Sequence, residues 1–312
     1  MFLLDASNEL VLKNSARLRR AAELYIWQAY LQDLDGGDIT SKYFIKDKEV
    51  SAEIAANGSG ILSGIEEAKW FLGRLGIKVS GAMKDGSGIR KGEVVMKISG
   101  NAKKILSAER TLLNLLQRMS GVATKTKLMS DKLPKGIKLL ATRKTLCGLL
   151  DKKAVSAGGG CTHRLNLNDA VLIKDNHLSL SENRTRDFRK ILRQAKNVRF
   201  VEIELQSAKD VEWLLKNFPN PKNLNPHVSA VAMLDNLSPS HIKKFAPLLK
   251  KSGYIVEVSG GINEKNITSF CLPGVSAISS GGITMKVENL DMSLNINKRT
   301  QDSEHRSQLI PC

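Results

Sequence analysis

Basic side chains follow apolar segments in the middle of the chain, and they are the first residues whose types and spacing could do chemistry. These candidate anion ligands are Arg143, Lys144, His163, Arg164 and Lys174. The last three lie in GGGCTHRLNLNDAVLIKDNH, residues 158–177. Many cations in one place repel each other unless anions lie between them. Arginine can bind a carboxylate through two parallel hydrogen bonds, whereas lysine acts as a point charge. Each cation alone could be half of an ion pair, but together they predict a clamp for carboxylates or phosphates.

Acidic side chains occupy the next two apolar segments. Glu202 and Glu204 lie two residues apart on one predicted strand, so both face the same side, and Asp235 ends the following strand. Carboxylates at such a place can bind Mg²⁺, accept hydrogen bonds from ribose hydroxyls or stabilise a developing cation. One of the two glutamates is also expected to pair with the basic clamp.

Glycine pairs end the last two apolar segments, in SGG and SSGG. Backbone N–H groups that glycine exposes at the start of a helix suit a phosphate. The predicted phosphate-binding residues are Ser259, Gly260, Gly261, Ser279, Gly281 and Gly282. One such pair usually marks only a turn, but two at successive strand ends favour a binding function.

The elements that position these residues follow from the apolar pattern. Six apolar runs alternate with segments of helical spacing, which predicts parallel βα units. The runs are 136–141, 169–174, 199–205, 228–234, 254–259 and 275–279. Each run ends in polar or glycine residues, and in a TIM-like α/β barrel such strand ends meet at one face. An open doubly wound sheet has the same rhythm, but no G-x-G-x-x-G follows the first strand, so the barrel is preferred.

The earlier part of the chain reads as a separate unit. Helical spacing predicts a helix over 9–34, and short apolar runs cut by glycines predict a small sheet over 50–98. One helix, 65–75, is expected to pack on that sheet. A long helix follows at 108–126, with Arg110 on its polar face.

Composition limits the functional classes. The chain has 312 residues with 42% hydrophobic and 25% charged residues, ordinary values for a soluble enzyme. Its net charge is +17, but aromatics make up only 5%, so a surface for stacking single-stranded nucleic acid is disfavoured. Most basic residues, Lys152 and Lys153 among them, are expected to be solvated. No apolar run approaches the ~18 residues of a membrane span.

Cysteine usage and the chain termini indicate the compartment. The four cysteines show no C-x-x-C pairing, which predicts free thiols in a reducing, cytoplasmic environment. They are Cys147, Cys161, Cys271 and Cys312. The N-terminus has no apolar signal core, so secretion is not expected. The C-terminal segment, 297–312, is expected to fray.

The motifs together resemble one family, the quinolinate phosphoribosyltransferases, also called nicotinate-nucleotide pyrophosphorylases (carboxylating). The resemblance runs from about Gly37 to Ile296 and rests on ERTLLNLLQRMSGVAT, ATRKT, GGGCTHRLNLNDAVLIKDNH, VEIEL, MLDN, EVSGGI and SAISSGGIT. It implies that quinolinate and phosphoribosyl pyrophosphate react with Mg²⁺ to give nicotinate mononucleotide, CO₂ and pyrophosphate in NAD biosynthesis. The implied fold is an α/β-sandwich domain over 1–115, joined by 286–312, and an incomplete TIM-like α/β barrel over 116–285.

The resemblance also implies roles for residues. It places Arg143, Lys144, His163, Arg164 and Lys174 on quinolinate, with Arg110 supplied by the other subunit of a homodimer. Whether dimers assemble into a hexamer stays open. Glu204 and Asp235 would bind ribose or Mg²⁺, and with Lys144 and Lys174 they form the implied catalytic set. The 5′-phosphate would lie on Ser259, Gly260, Gly261, Ser279, Gly281 and Gly282.

Two departures from the family pattern bear on substrate choice. The family usually has aspartate where this chain has Ala141, and commonly histidine where it has Met285, with Lys286 as the expected substitute phosphate ligand. A phosphoribosyltransferase for another carboxylated acceptor therefore stays open. Two further alternatives rank lower: a Schiff-base aldolase that uses Lys174, and a basic nucleic-acid binder with strongly salt-dependent affinity.

Overall fold

The computed structural model describes residues 2–297, which form two compact units. The larger unit contains the described residues up to Ala21 together with Gly121–Glu288. The smaller unit contains Ala22–Ser120 together with the described residues from Asn289 onward. The predicted domain boundaries stay a prediction; the compact units differ from them chiefly because the described residues up to Ala21 pack with the larger unit.

The predicted N-terminal helix starts later than expected. The structure has a 3₁₀ turn at Ser7–Glu9 and then α1 (Ala16–Ala22), a π-helical segment and α2 (Gln28–Asp33). The prediction of a helix from residue 9 is wrong at this end. The Ser15 hydroxyl accepts a hydrogen bond from the Leu18 N–H at 3.2 Å, and serine in this position marks a helix start. A short helix, α3 (Ile39–Phe44), follows.

The elements that follow alternate in the predicted way. Up to the long helix they are β1 (Glu49–Ala56), β2 (Gly60–Ile61), α4 (Ile65–Arg74), β3 (Lys78–Ala82), β4 (Gly88–Ile89), β5 (Val94–Asn101) and α5 (Ala102–Ser130). Beyond it they are β6 (Lys138–Leu140), α6 (Leu149–Ala157), β7 (Val171–Ile173), α7 (Asp175–Ser179), α8 (Arg184–Gln194), β8 (Val201–Leu205), α9 (Ala208–Asn217), β9 (Ala230–Asp235), α10 (Pro239–Lys251), β10 (Ile255–Ser259), β11 (Ala277–Ser279), α11 (Gly282–Met285) and β12 (Met292–Asn297).

The smaller unit is built on a four-stranded antiparallel sheet of order β12-β1-β5-β3. Alternate residues of β1, namely Ala52, Ile54 and Ala56, are fully buried, as a sheet with one covered face requires. Along α5 the leucines of the apolar stripe are buried, whereas Arg110 and Asn114 are exposed. The predicted polar face of this helix is therefore confirmed.

The larger unit is built on six parallel strands in the order β6-β11-β10-β9-β8-β7. Each of the six predicted apolar runs coincides with a strand to within one residue at its end, so the βα repeat is confirmed. Among the described residues, β6 and β7 form the two ends of the sheet, and Cys161 makes an isolated parallel bridge to Leu140. The sheet is the incomplete α/β barrel that the sequence predicted.

The interior of this barrel has an apolar layer near the start of the strands. Its buried members are Leu4, Leu140, Cys161, Ala170, Phe200, Val231 and Ala277, with Phe2, Leu3 and Ile255 packed against them. Leu4 is fully buried, and burying such a side chain stabilises the folded state by about 1.5–3 kcal/mol. The N-terminal residues therefore fill the barrel from inside, which explains why they pack with the larger unit.

Candidate active site

Polar residues from four neighbouring strands meet at the carboxyl ends of the barrel. The parallel register puts Ser259 beside Asp235, and Lys174 comes directly after β7. Lys174 Nζ lies 2.8 Å from Glu204 Oε2. The structure therefore brings together the predicted carboxylates and one of the predicted cations at one mouth.

Glu204 is held in place by contacts to both of its carboxylate oxygens. It is buried, Lys174 binds its Oε2, and Gln206 Nε2 donates to its Oε1 at 2.8 Å. The Lys174 side chain is 46% exposed, so its ammonium group stays reachable from the mouth. The expectation that a glutamate pairs with the basic clamp is confirmed for Glu204 with Lys174, and Glu202 pairs as well, with His163.

Asp235 lies close enough to Glu204 for their two carboxylates to repel each other. Partial burial and the charge of Glu204 raise its pKa, while hydrogen bonds to Ser259 and Asn236 oppose this shift. A Cβ on Gly260 would overlap the side-chain oxygen of Asn236 and lie 2.6 Å from its backbone nitrogen, and this glycine has a φ of +98°. Glycine at this position thus lets the loops after β9 and β10 approach each other closely.

The loop after β11 contacts the loop after β6. Thr284 Oγ1 donates to the carbonyl of Lys144 at 2.6 Å, and the Gly282 N–H donates to Ser280 Oγ at 3.2 Å. A Cβ on Gly281 would lie 3.0 Å from Cδ of Lys144. The side chain of Lys144 therefore crosses Gly281, and a predicted acceptor ligand lies against the predicted phosphate-binding residues.

Gly158 and Gly160, which precede His163, allow the chain to pack closely against its neighbours. A Cβ on Gly158 would overlap the carbonyl oxygen of Ala123 and lie 2.8 Å from Cβ of Thr126, both on α5. A Cβ on Gly160 would lie 2.8 Å from Cγ2 of Thr126 and 2.7 Å from Cγ1 of Val155. Only glycine lets this chain segment run against α5, and that path fixes where the following residues begin.

Arg143 and the buried Arg164 are two predicted cations whose charges act on each other. Burial lowers the pKa of Arg164, and the positive charge of Arg143 lowers it further, so the two guanidinium groups repel each other. Arg164 NH1 donates to the Ala170 carbonyl at 3.2 Å, whereas Arg143 is exposed. Arg143 lines an open pocket of about 470 Å³ together with Leu165, Asn166, Leu167 and Asn168. Arg143, an exposed cation that lines a pocket and is repelled by a second arginine, is suited to bind an anion.

His163 departs from its expected place at the mouth. Its imidazole Nε2 lies 3.0 Å from Glu202 Oε2 and 3.2 Å from Glu257 Oε2, and all three side chains are buried in the barrel interior. Burial opposes the positive charge of the imidazole, but the two carboxylates outweigh it and raise the pKa of His163 to about 9. Burial and the charge of Glu257 raise the pKa of Glu202 to about 7. The assignment of His163 to quinolinate stays a prediction.

Two residues of this region were missed by sequence reasoning. Glu257 precedes Ser259 by two residues on β10, so the two side chains face the same side of the strand. This spacing in the sequence was sufficient to predict that Glu257 points into the barrel. Lys152 was expected to be solvated, but it is buried, and its Nζ donates to the carbonyls of Thr162 and Arg164 at 2.6 and 2.9 Å. Burial lowers its pKa to about 7.

The positions that depart from the family pattern lie at the edges of the site. Ala141 is fully buried, and its N–H donates to the Cys161 carbonyl at 2.8 Å. Met285 is 45% exposed at the end of α11, and Lys286 beside it is exposed. Arg110 belongs to the smaller unit, and its predicted contribution to a partner's site stays a prediction.

Parallel βα units whose strand ends gather cations, paired carboxylates and glycine turns define a barrel enzyme for anionic substrates. Among the described residues, no helix is both long and apolar enough to span a membrane.

Comparison with known proteins identifies the family. Residues 38–120 match the family described as quinolinate phosphoribosyl transferase, N-terminal domain, and residues 122–295 match its C-terminal domain. A probable nicotinate-nucleotide pyrophosphorylase [carboxylating] from Methanothermobacter thermautotrophicus is 35% identical over 274 residues, which cover 85% of this chain and 95% of that protein. The Bacillus subtilis protein of the same description is 34% identical, covering 88% of this chain and 93% of the relative.

Solved structures agree with this comparison. The nicotinate-nucleotide pyrophosphorylase from Ehrlichia chaffeensis is 33% identical with a TM-score of 0.77, covering 87% of this chain and 97% of that one. The one from Francisella tularensis is 28% identical with the same TM-score, covering 89% and 96%. This chain belongs to the quinolinate phosphoribosyltransferase family.

Proposed function

We propose that this protein transfers the phosphoribosyl group of phosphoribosyl pyrophosphate to quinolinate, with loss of CO₂ and pyrophosphate, to give nicotinate mononucleotide. The observation that carries the proposal is the mouth of the barrel, where Lys174 contacts Glu204 at 2.8 Å beside Asp235 in a chain of this family. This reaction is a step of NAD biosynthesis.

The cations of the mouth suit the acceptor, because quinolinate carries two adjacent carboxylates. Arg143 and Arg164 repel each other, and a carboxylate between them would relieve that repulsion. Lys174 and Lys144 would add point charges. Each charge-assisted hydrogen bond is worth about 1.5–3 kcal/mol, so losing one should weaken acceptor binding by about tenfold or more.

The carboxylates suit the transfer step. As the bond from C1′ to pyrophosphate breaks, positive charge develops on the ribose ring, and a fixed negative charge nearby lowers the energy of that state. Lys174 and Gln206 occupy the two oxygens of Glu204. We therefore assign the stabilisation of the developing cation chiefly to Asp235, with Glu204 positioning Lys174.

Mg²⁺ fits the same two carboxylates. Burial and the charge of Glu204 raise the pKa of Asp235, and a divalent cation with oxygen ligands would relieve the repulsion between the two carboxylates. Asp235 would hold the ion together with Glu204, whose oxygens each accept one hydrogen bond and keep a second lone pair; the ion would supply positive charge to the departing pyrophosphate.

Decarboxylation needs no covalent enzyme intermediate. Once the ring nitrogen carries the ribose, the electron pair of the breaking C–C bond stays on the ring carbon, where the pyridinium charge stabilises it until a proton arrives. The side chain of Lys174 is 46% exposed, and its Nζ is occupied by a contact of 2.8 Å with Glu204 Oε2. This contact argues against the aldolase alternative, because a Schiff-base lysine must be neutral.

We also propose a homodimer in which Arg110 reaches the partner's site, a 5′-phosphate site at the glycine pairs of β10 and β11, and a cytoplasmic location. The dimer proposal is supported by the exposure of Arg110 on α5, and the location by the free thiols of Cys147, Cys161 and Cys271. Cys312 and the segment expected to fray, apart from Asn297, lie outside the described residues.

One assay tests the reaction. Purified protein, Mg²⁺, phosphoribosyl pyrophosphate and carboxyl-labelled quinolinate should release labelled CO₂ and nicotinate mononucleotide. Arg143→Ala and Lys174→Ala should lower kcat/KM for quinolinate by at least about tenfold, whereas Arg186→Ala, an exposed arginine paired with Asp187, should not.

A second set of assays, with other acceptors, tests whether Ala141 and Met285 mark a changed substrate. Nicotinate and other pyridine carboxylates replace quinolinate in the same assay. Product with one of these and none with quinolinate would support the alternative, a family member with a changed acceptor, and would contradict the proposal.

A further inference from the structure

The first residues of the larger unit form a short strap inside the barrel. This N-terminal strap, Phe2–Ala6, begins with apolar side chains and ends at the 3₁₀ turn. Leu4 is 0% exposed in the apolar layer, and Ala6 is 1% exposed. The family models match from residue 38 onward, so the strap lies outside them.

The strap binds the backbone of the loop that carries His163 and Arg164. The Leu4 carbonyl accepts from the His163 N–H at 2.9 Å, and Asp5 Oδ1 accepts from the Thr162 N–H at 3.2 Å. The Ala6 N–H donates to Thr162 Oγ1 at 2.8 Å. Three hydrogen bonds thus join two segments that are more than 150 residues apart in sequence.

Two basic side chains, Lys152 and Arg199, donate hydrogen bonds to the carbonyl groups of the same loop. Lys152 binds the carbonyls of Thr162 and Arg164, and Arg199 NH2 donates to the His163 carbonyl at 3.0 Å. His163 has a φ of +54°, a left-handed conformation that a histidine keeps only when its surroundings fix it. Of these partners, only the strap binds the N–H groups of Thr162 and His163.

We propose that the N-terminal strap is a positioning element for the acceptor: by fixing the Thr162–Arg164 loop, it sets the affinity for the dicarboxylate substrate. The inference rests on the proposed function, in which Arg164 binds quinolinate. The strap touches the loop backbone and no reacting atom, so it acts through Arg164. A misplacement of about 1 Å at such a ligand can cost up to 100-fold in rate, so weak anchoring would be costly.

The test changes the Asp5 carboxylate, which also accepts hydrogen bonds from the N–H and hydroxyl of Ser7 within the strap's own turn. Asp5→Ala loses the acceptor for the Thr162 N–H, whereas Asp5→Asn keeps an oxygen there. Asp38→Ala is the matched control, because Asp38 also accepts a backbone N–H, from Ser41 at 2.9 Å, but at the start of α3 in the smaller unit. Steady-state kinetics are measured with quinolinate and with phosphoribosyl pyrophosphate varied separately.

The expected result is a rise of about tenfold in KM for quinolinate in Asp5→Ala, within the range of up to about 100-fold for a ligand displaced by about 1 Å, with KM for phosphoribosyl pyrophosphate changed less than about twofold. Asp5→Asn should restore most of the affinity, and Asp38→Ala should behave like the natural protein. Equal rises in both KM values, or an Asp5→Ala enzyme that matches Asp38→Ala, would overturn the inference.

A second readout is independent of catalysis. Hydrogen–deuterium exchange at the amides of Thr162 and His163 should be faster in Asp5→Ala than in the natural protein and Asp38→Ala. Unchanged exchange would also overturn the inference. If the natural protein shows no turnover of quinolinate, the proposed function fails, and the exchange data still decide whether the strap holds the loop.

Discussion

Gly158→Ala tests why glycines precede the His163–Arg164 loop. The added Cβ would overlap the carbonyl oxygen of Ala123 and lie 2.8 Å from Cβ of Thr126. Neither neighbour is the flexible end of a side chain, so α5 and the segment after α6 must move apart. Overpacking of this kind costs about 1–3 kcal/mol and sometimes more, and contact with helix backbone places this substitution at or above ~3 kcal/mol.

The adjacent glycine provides the control. Gly159 has a φ of +84° and nothing within 4 Å of its added Cβ, so Gly159→Ala carries only backbone strain of about 1–2 kcal/mol. Thermal unfolding should therefore show a clearly larger fall for Gly158→Ala, at roughly 2–4 °C per kcal/mol for a domain of this size.

The same substitution should also affect function. Lys152 lies on α6, nearly two turns before Gly158, and it holds the loop carbonyls, so a displaced α6 should raise KM for quinolinate. Equal loss of stability in the Gly158 and Gly159 variants would refute the packing argument. A destabilised Gly158→Ala enzyme with an unchanged KM would refute the link from α6 to the acceptor.

Three further predictions concern charge and space at the site. The pKa of Lys152 falls from 10.5 to about 7 on folding, so between these values only the unfolded chain binds the proton and stability rises with pH. The pKa of His163 rises from 6.5 to about 9, which gives the opposite slope up to pH 9. The two slopes cancel, so urea unfolding should give a nearly constant free energy of unfolding from pH 7 to 9. In Lys152→Met the free energy of unfolding should instead fall by up to ~1.4 kcal/mol per pH unit over this range. Parallel pH curves for the natural protein and the variant would contradict this. Gly281→Ala should push the flexible Lys144 side chain aside, with little change in melting temperature and a several-fold higher KM for phosphoribosyl pyrophosphate; an unchanged KM would remove Gly281 from that site. Asp235→Asn should lower kcat by about 100-fold or more with a smaller effect on KM for quinolinate, since it removes charge needed at the transition state; a loss confined to KM would argue against that role.

Local patterns were sufficient to predict the framework of the barrel. The runs that form β8 and β9 are largely apolar, which predicts buried strands. Each carries an acid at or next to its carboxyl end, Glu204 in β8 and Asp235 in β9, so the end of the strand that holds the functional residue could also be predicted. Such signals depend on residues two to four positions apart, which the printed sequence shows directly.

Contacts between distant segments could not be predicted. Leu4 and Asp5 meet Thr162 and His163 only in the folded chain, and no periodicity in residues 2–6 reports that contact. Lys152 looked like half of an exposed basic pair. Its burial depends on two carbonyls of a loop that exists only in the folded chain.

The interior of the barrel gives a physical reason for a rigid acceptor site. Above the apolar layer around Leu4 lies the buried group of His163, Glu202 and Glu257, where packed barrels usually have branched apolar side chains. Buried charges tolerate little displacement, because a carboxylate that loses its partner must be desolvated alone. The ion pairs on the side chain of His163 and the strap on its backbone therefore fix this residue from two sides, and Arg164 follows it directly. A loop held in this way can keep cations close together before the dicarboxylate arrives, so binding energy is not spent on ordering the site.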